Sequence, residues 1–412
     1  MPSSLRLSLE VLRRRPFFTF VSLFGIAFTL TTLLVVSAML DGLLAPRAPE
    51  VHMDRSLYLN RANVFSDNND FHGPPGYGLL DEYCRDLPGV EITTFYSNPR
   101  TSLAFVNGQR VETEVRHCDA EYWRAFRFDF LEGRAFDASD VEAARPVVVI
   151  DASTRRAFFG EESAIGRTLP VGDRAFEVIG VVPDVDPMRE ATTGNAWTTL
   201  TTHPADGWQT QQRGDFSACF VATSPAAFDA IRAELDARME AWEPKPGTLF
   251  TDARVFPQTR LQELAQEALG APRGENPVAR FAGLLALIAF VFMLLPAVNL
   301  VNVNMSRILE RASEIGVRKA FGASNGELVR QFVIENVVLC VLGGLISFVL
   351  AGFVAELSAG AGWLEGSRLQ LSPRVFLVGL ALSVFFGVLS GILPAWRMAR
   401  LQPVQALRGG ER

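Results

Sequence analysis

Lysine is nearly missing from this 412-residue chain, which holds only Lys245 and Lys319. A Walker A phosphate cradle needs a lysine after a glycine-rich loop and before Ser or Thr. Neither lysine stands in that setting, so these residues carry no P-loop ATPase. Histidine is scarce as well. His52, His72, His117 and His203 are scattered, no H-E-x-x-H occurs, and His117–Cys118 is too little for a metal site. Ordinary polar surface or core is the reading for all four. No nucleophile, metal or acid–base constellation emerges, and the chain is not read as an enzyme. Of the four cysteines, Cys84, Cys118 and Cys219 allow one disulfide with a thiol left over, or three unpaired thiols; Cys340 falls in an apolar run. There is no low-complexity tract and no repeat at solenoid period.

Charge is absent from four long stretches, and these define the class. Phe17–Leu40, Phe281–Ser306, Asn336–Ala355 and Val375–Trp396 carry none. At ~1.5 Å per residue each reaches the ~30 Å of a hydrocarbon core. Arginine marks the inner side. It clusters at Arg6, Arg13, Arg14 and Arg15, at Arg307, Arg311, Arg318 with Lys319, and at Arg397, Arg400, Arg408 and Arg412. Four spans put all three clusters on one side, with both termini cytoplasmic. A cleaved signal peptide is the alternative for the first span, but that run exceeds the ~7–15 residues of an h-region. The expected order is an amphipathic inner helix over 1–16, spans over 17–40, 281–306, 331–356 and 375–396, an outer domain over 41–280, an inner loop over 307–330, a short outer loop over 357–374 and an inner tail over 397–412. In the first of these, Leu5, Leu9 and Leu12 recur at helical spacing between arginines.

The outer segment is large enough for its own core. Strand patterns occur at Thr101–Val106, Pro146–Ile150 and Phe176–Val182, and helix patterns at Ala152–Phe159, Ala226–Trp242 and Arg260–Leu269. Asn60–Gly78 and Asp184–Asp215 read as turn-rich, and Glu243–Gly247 as a hinge. Strands and helices mix without strict alternation, which favours α+β.

Small residues recur every fourth position at Gly343, Ser347, Ala351 and Ala355, and at Gly379, Ser383, Gly387 and Gly391. Such stripes let helix backbones approach in lipid, so spans three and four are expected to pack along them. Pro296 interrupts the second span, with Asn299, Asn302 and Asn304 just beyond. Glu335 reads as a snorkelling or helix-start carboxylate rather than a relay.

The stretch Arg307–Val329, RILERASEIGVRKAFGASNGELV, is too polar for lipid. Ile308, Ala312 and Ile315 form one apolar edge, and Glu314 pairs with Arg318 at i,i+4. Gly316 costs ~1 kcal/mol in an exposed helix, so close approach of another surface explains it. Gly322, Ser324 and an Asn325–Gly326 turn end the helix, and Glu327 leads into the third span. A solvated linker carrying topology-setting charges accounts for the same residues.

These residues resemble a known family. Glu310–Gly322, ERASEIGVRKAFG, resembles the signature of bacterial ABC transporter permeases of the MacB/FtsX type. Leu328–Asn336 (LVRQFVIEN) and Pro394–Gly409 (PAWRMARLQPVQALRG) are similar to that family's third-span start and closing motif. Leu131–Phe136, Val147–Ile150, Phe158–Gly160, Ala164–Gly166 and Phe176–Val182 resemble its periplasmic core domain. The resemblance implies a dimer of four-span subunits, identical or homologous, in a bacterial inner membrane. Glu310, Arg311, Glu314, Ile315, Gly316, Arg318, Lys319, Phe321 and Gly322 would contact a cytoplasmic ABC ATPase. Since the chain begins a few residues before its first span, that ATPase, with its ATP and Mg, is expected on another polypeptide, and no cofactor in this one. The implied work is mechanotransmission for efflux or release of a peptide, lipid-linked or drug-like substrate, with membrane lipid, a periplasmic adaptor and no nucleic acid among the contacts. Alternatives are an FtsX-like scaffold that activates a cell-wall hydrolase and a LolC/LolE-like lipoprotein-releasing permease.

Overall fold

The computed structural model describes residues 16–66, 70–106, 109–244, 250–272, 274–310, 324–360 and 371–399. The chain divides into two compact units, one gathering the long apolar helices and one formed by residues 43–281.

The long helices are α1 (Pro16–Leu44), α8 (Val278–Glu310), α9 (Asn325–Gly360) and α10 (Pro373–Ala399). Each contains a stretch long and apolar enough to cross a membrane, and the chain is a multi-pass membrane protein. Their apolar residues run all the way round, as expected of lipid-facing helices. Phe17, Phe20, Phe24 and Phe28 stay outward on α1, while Ile26, Leu30, Met293, Leu300, Leu339 and Cys340 form the shared core. α8 continues through Pro296. Asn299 lies in its second half, with Nδ2 3.5 Å from where a β-carbon on Gly25 would stand.

The small-residue stripes do not simply meet one another. A β-carbon at Gly343 would lie 2.7 Å from Ile26 Cγ2, and the Ser347 carbonyl accepts from Thr31 Oγ1 at 3.3 Å. That edge of α9 therefore faces α1. Against α10, α9 presents Asn336, Cys340 and Gly344 instead. Asn336 Nδ2 donates to Gly387 O, Cys340 Sγ to Ser383 O, and Gly344 lies under Leu380. Adjacent glycines at 343 and 344 are ~100° apart around a helix, so one position admits two neighbours on different sides. Ala351 is buried too, Gly379 approaches Leu30 of α1, and Gly391 falls within α10.

The second unit is built on a ten-stranded mixed sheet. Its strands are β1 (Ser56–Leu59), β4 (Val90–Ser97), β5 (Arg100–Val106), β6 (Gln109–Cys118), β7 (Glu132–Gly133), β8 (Val147–Asp151), β9 (Thr168–Val171), β10 (Arg174–Val182), β11 (Ala196–Thr199) and β12 (Phe216–Ala222). The order is β1-β12-β4-β6-β11-β8-β10-β7, with β5 on β6 and β9 on β10. β8 with β10 and β6 with β11 run parallel; the other pairs are antiparallel. A separate small sheet joins β13 (Phe250–Val255), β2 (Ala62–Ser66) and β3 (Phe71–Gly73).

Both faces of the large sheet are covered, and the period-2 pattern shows it. Leu57 and Leu59 enter one core with Phe95, Phe220, Ile231 and Leu235, whereas Tyr58 enters another with Tyr96, Tyr122 and Trp197. In β8 the split is Val147 and Val149 against Val148 and Ile150. Strands buried on both sides read as continuous apolar runs, as VVVI does. Helix α5 (Ala152–Phe159) begins at its expected residue because Asp151 accepts from Thr154 N at 2.7 Å.

The two turn-rich stretches also hold regular elements. Asn60–Gly78 holds β2, β3 and the first turn of helix α2 (Tyr77–Tyr83). Asp184–Asp215 holds β11, an interior strand with all four residues buried. Its threonines conceal it, because they satisfy themselves locally: Thr198 Oγ1 donates to Val147 O and Thr199 Oγ1 to Arg145 O. Cys84, Cys118 and Cys219 are buried free thiols, and burial pushes Cys84 up to about 12.

Replacing Gly343 by Ala should destabilise the helix bundle by ~1–3 kcal/mol, because the stiff β-branched Ile26 must yield. Gly379→Ala meets only Leu30 Cδ2 at 3.5 Å and should be neutral or stabilising. Thermal midpoints of the full chain in detergent separate the two; equal midpoints would contradict this packing.

Candidate functional site

Of the residues expected to contact an ATPase, Glu310 ends α8; Arg311, Glu314, Ile315, Gly316, Arg318, Lys319, Phe321 and Gly322 lie outside the described residues. The structure resumes at Ser324. Its Oγ accepts from Glu327 N at 3.3 Å while its own N–H donates to the Glu327 carboxylate at 3.0 Å. This reciprocal cap starts α9 at Asn325, so Asn325–Gly326 is the first turn of a helix, not a free turn. Gly322–Gly326 also spells G-x-S-x-G, but a serine capping a membrane helix is no nucleophile elbow.

Among the described residues a dense arrangement of charge lies in the second unit, where the chain leaving α1 meets the helix that precedes α8. Residues 186–193 sit between them. Arg189 Nη2 donates to Ala45 O at 2.9 Å, and its Nη1 lies 3.8 Å from Glu50 Oε2. Glu50 also accepts from Thr192 Oγ1 at 3.1 Å and from the Tyr58 hydroxyl at 3.4 Å. Helix α7 (Arg260–Leu269) supplies the other side, started by a Thr259–Gln262 capping box. Arg260 reaches Met188 O at 3.0 Å, Glu190 at 3.2 Å and Glu263 at 3.1 Å, while Asn60 Nδ2 donates to Glu263 at 2.8 Å.

The large sheet anchors the same segment from below. Arg116 is almost wholly buried without a carboxylate; it donates to Ser97 O, Glu190 O and Thr193 O and lies over the Tyr96 ring. Tyr122 donates to Ala191 O. One short loop is thus tied to the outgoing chain, the returning helix and the sheet.

Burial dominates the titration here. It pushes Glu50 above the ordinary 4.5 against the pull of Arg189 and Arg260, and lifts Glu263 to about 7 against Arg260. Burial opposes the charge on Arg260 too, but Glu263 and Glu190 hold its pKa above the ordinary value. Chemically the cluster binds and orients; no group in it is poised as a nucleophile. Elsewhere His117 and His203, distant in sequence, bring their rings within 5.0 Å, and burial beside His203 lowers His117 to about 3. Among the described residues no group of three side chains is arranged to hold a metal.

Comparison with known proteins decides the family. A MacB-like periplasmic core domain model matches residues 19–238 and an FtsX-like permease C-terminal model matches 286–403. The chain belongs to the MacB/FtsX-like permease family. It is similar to the macrolide export ATP-binding/permease protein MacB of Chromobacterium violaceum, 29% identical over 72% of this chain and 43% of that protein. A MacB of Paracoccus denitrificans is 25% identical over 100% of this chain and 59% of its own. The permease thus spans about half the length of these relatives. The periplasmic region of MacB from Actinobacillus actinomycetemcomitans aligns at 17% identity with a TM-score of 0.36, over 52% of this chain and 94% of that one.

Sequence reading missed this clamp. Only the i,i+3 pair Arg260–Glu263 signalled charge facing one way, and nothing local pointed to Glu50 or Arg189.

Two outcomes follow for the permease. Arg189→Ala strands the Glu50 carboxylate and should cost ~3–5 kcal/mol. For Glu263 the folded state keeps a proton that the unfolded chain loses between 4.5 and about 7. Its stabilising share is therefore full below 4.5 and is lost as pH rises through about 7. From pH 5 to 8 the thermal midpoint of the wild type should fall relative to that of Glu263→Gln, a difference from which the shared and opposing contributions of Asp119, lifted to about 6, and His117, lowered to about 3, drop out. An unchanged slope in the variant would refute this assignment.

Proposed function

We propose that this permease couples ATP hydrolysis, performed on the cytoplasmic side of an inner membrane by a nucleotide-binding domain outside these 412 residues, to motion of its periplasmic core domain. The observation that carries the reading is the clamp. Arg189 and Arg260 tie the chain leaving the first span and the helix approaching the second to one loop, so a displacement entering by either connection reaches both. The core domain then moves as a body, and no substrate path through the bilayer is required. The polar stretch Glu310–Gly322 supplies the other end of the lever, with Glu314, Ile315, Gly316, Arg318 and Lys319 meeting the ATPase and both termini on the same inner side. Two permease copies, or a homologous pair, complete the assembly, and a periplasmic adaptor extends it.

The relatives' names speak of macrolide export, which supports efflux or release of a drug-like substrate among the peptide, lipid-linked and drug-like classes.

The test uses the reconstituted complex and needs no substrate. Glu314→Ala with Arg318→Ala should leave insertion and ATP hydrolysis intact. Nucleotide-dependent changes in amide exchange over Arg260–Leu269, present in the wild type, should disappear. Unchanged coupling in the double variant would overturn the proposal.

A further inference from the structure

Beside the clamp lies an open cavity of about 550 Å³, within the ~300–1,000 Å³ range of small-molecule sites. Leu43, Leu44, Phe256 and Leu264 give it apolar walls. Arg61 and Glu267 stand exposed among its lining residues, and neither makes an ion pair or hydrogen bond with another described residue. The neighbouring charges are already engaged, since Arg260 holds Glu190 and Glu263. Among the described residues the cavity therefore offers one free cation and one free anion over an apolar floor.

Its depth relative to lipid follows from the chain. The uncharged run of the first span ends at Leu40, and Leu43 and Leu44 close the same helix α1. Three residues add ~4.5 Å along a helix, and the polar layer on each side of a ~30 Å hydrocarbon core is ~5–8 Å deep. Leu43 and Leu44 thus stand at the level of phospholipid headgroups.

We propose that this cavity binds a zwitterionic phospholipid bearing a primary ammonium, with Arg61 on the phosphate, Glu267 on the ammonium and the glycerol end against Leu43 and Leu44. Guanidinium suits phosphate oxygens through paired N–H donors, and a carboxylate gains from a primary ammonium a charge-paired hydrogen bond stronger than any a hydroxyl-only headgroup can donate. Asn60 and Gln258, also in the lining, add neutral polar contacts. A bound lipid would touch both connections that the clamp joins.

The inference needs only the span assignment, so its failure would leave the coupling proposal standing. The purified full chain in detergent is titrated with dihexanoyl phosphatidylethanolamine and, separately, dihexanoyl phosphatidylglycerol, with binding read by native mass spectrometry and amide exchange over Gln258–Ala271. The ethanolamine lipid should bind about tenfold more tightly than the glycerol lipid. Arg61→Gln should weaken both, whereas Glu267→Gln should weaken only the ethanolamine lipid and erase the preference. Both side chains are exposed and without partners among the described residues, and wild-type thermal midpoints would confirm that the variants fold. Equal binding of the two lipids by the wild type, or wild-type preference in Glu267→Gln, would overturn the assignment.

Discussion

Burial of ionisable side chains is the constraint on which residues 43–281 depend. Glu50, Arg189, Arg116, Arg260 and Glu263 sit where water is scarce, and each charge removed from water costs several kcal/mol unless partners meet it at hydrogen-bond distance. That requirement leaves residues 186–193 little choice of path. Their carbonyls and Glu190 answer two guanidiniums, Arg116 and Arg260, while the loop's own Arg189 reaches Ala45 and Glu50, so shifting the loop would break several charge-assisted contacts together. A cluster of this kind is a poor source of net stability and a good source of a single arrangement.

The apolar helices are held by a different force. Helices in lipid gain little from burying apolar area, so close backbone approach and a few hydrogen bonds must serve. Gly343 and Gly344 allow it on two sides of α9, one against Ile26 and one against Leu380. Asn336 and Cys340 add side-chain donors to carbonyls of α10. Charge pairing thus organises one unit and steric economy the other, each suited to its solvent.

Much of this was legible in the residue order. Helices Ala152–Phe159 and Arg260–Leu269 appear at their expected bounds because their caps, Asp151 and Thr259, are adjacent in sequence. Continuous apolar runs such as Val147–Ile150 announced doubly covered strands. Ala196–Thr199 escaped notice because threonine hydroxyls bonded to nearby carbonyls make a central strand look polar. Ser324–Glu327 looked like a turn because Asn-Gly usually makes one, yet a reciprocal cap three residues apart outweighs that preference.

Local pattern by itself determined the four spans, the polar stretch between spans two and three that marks the family and the mixed character of the domain between spans one and two. Those properties depend on length, periodicity and charge counted over neighbouring residues. Which charges meet was decided only by the tertiary structure. Arg189 finds Ala45 and Glu50, and Arg260 finds Met188 and Glu190, across intervals where no periodicity connects donor to acceptor. The cavity with Arg61 and Glu267 belongs to the same class, since two free charges become a site only when folding brings them to one lining.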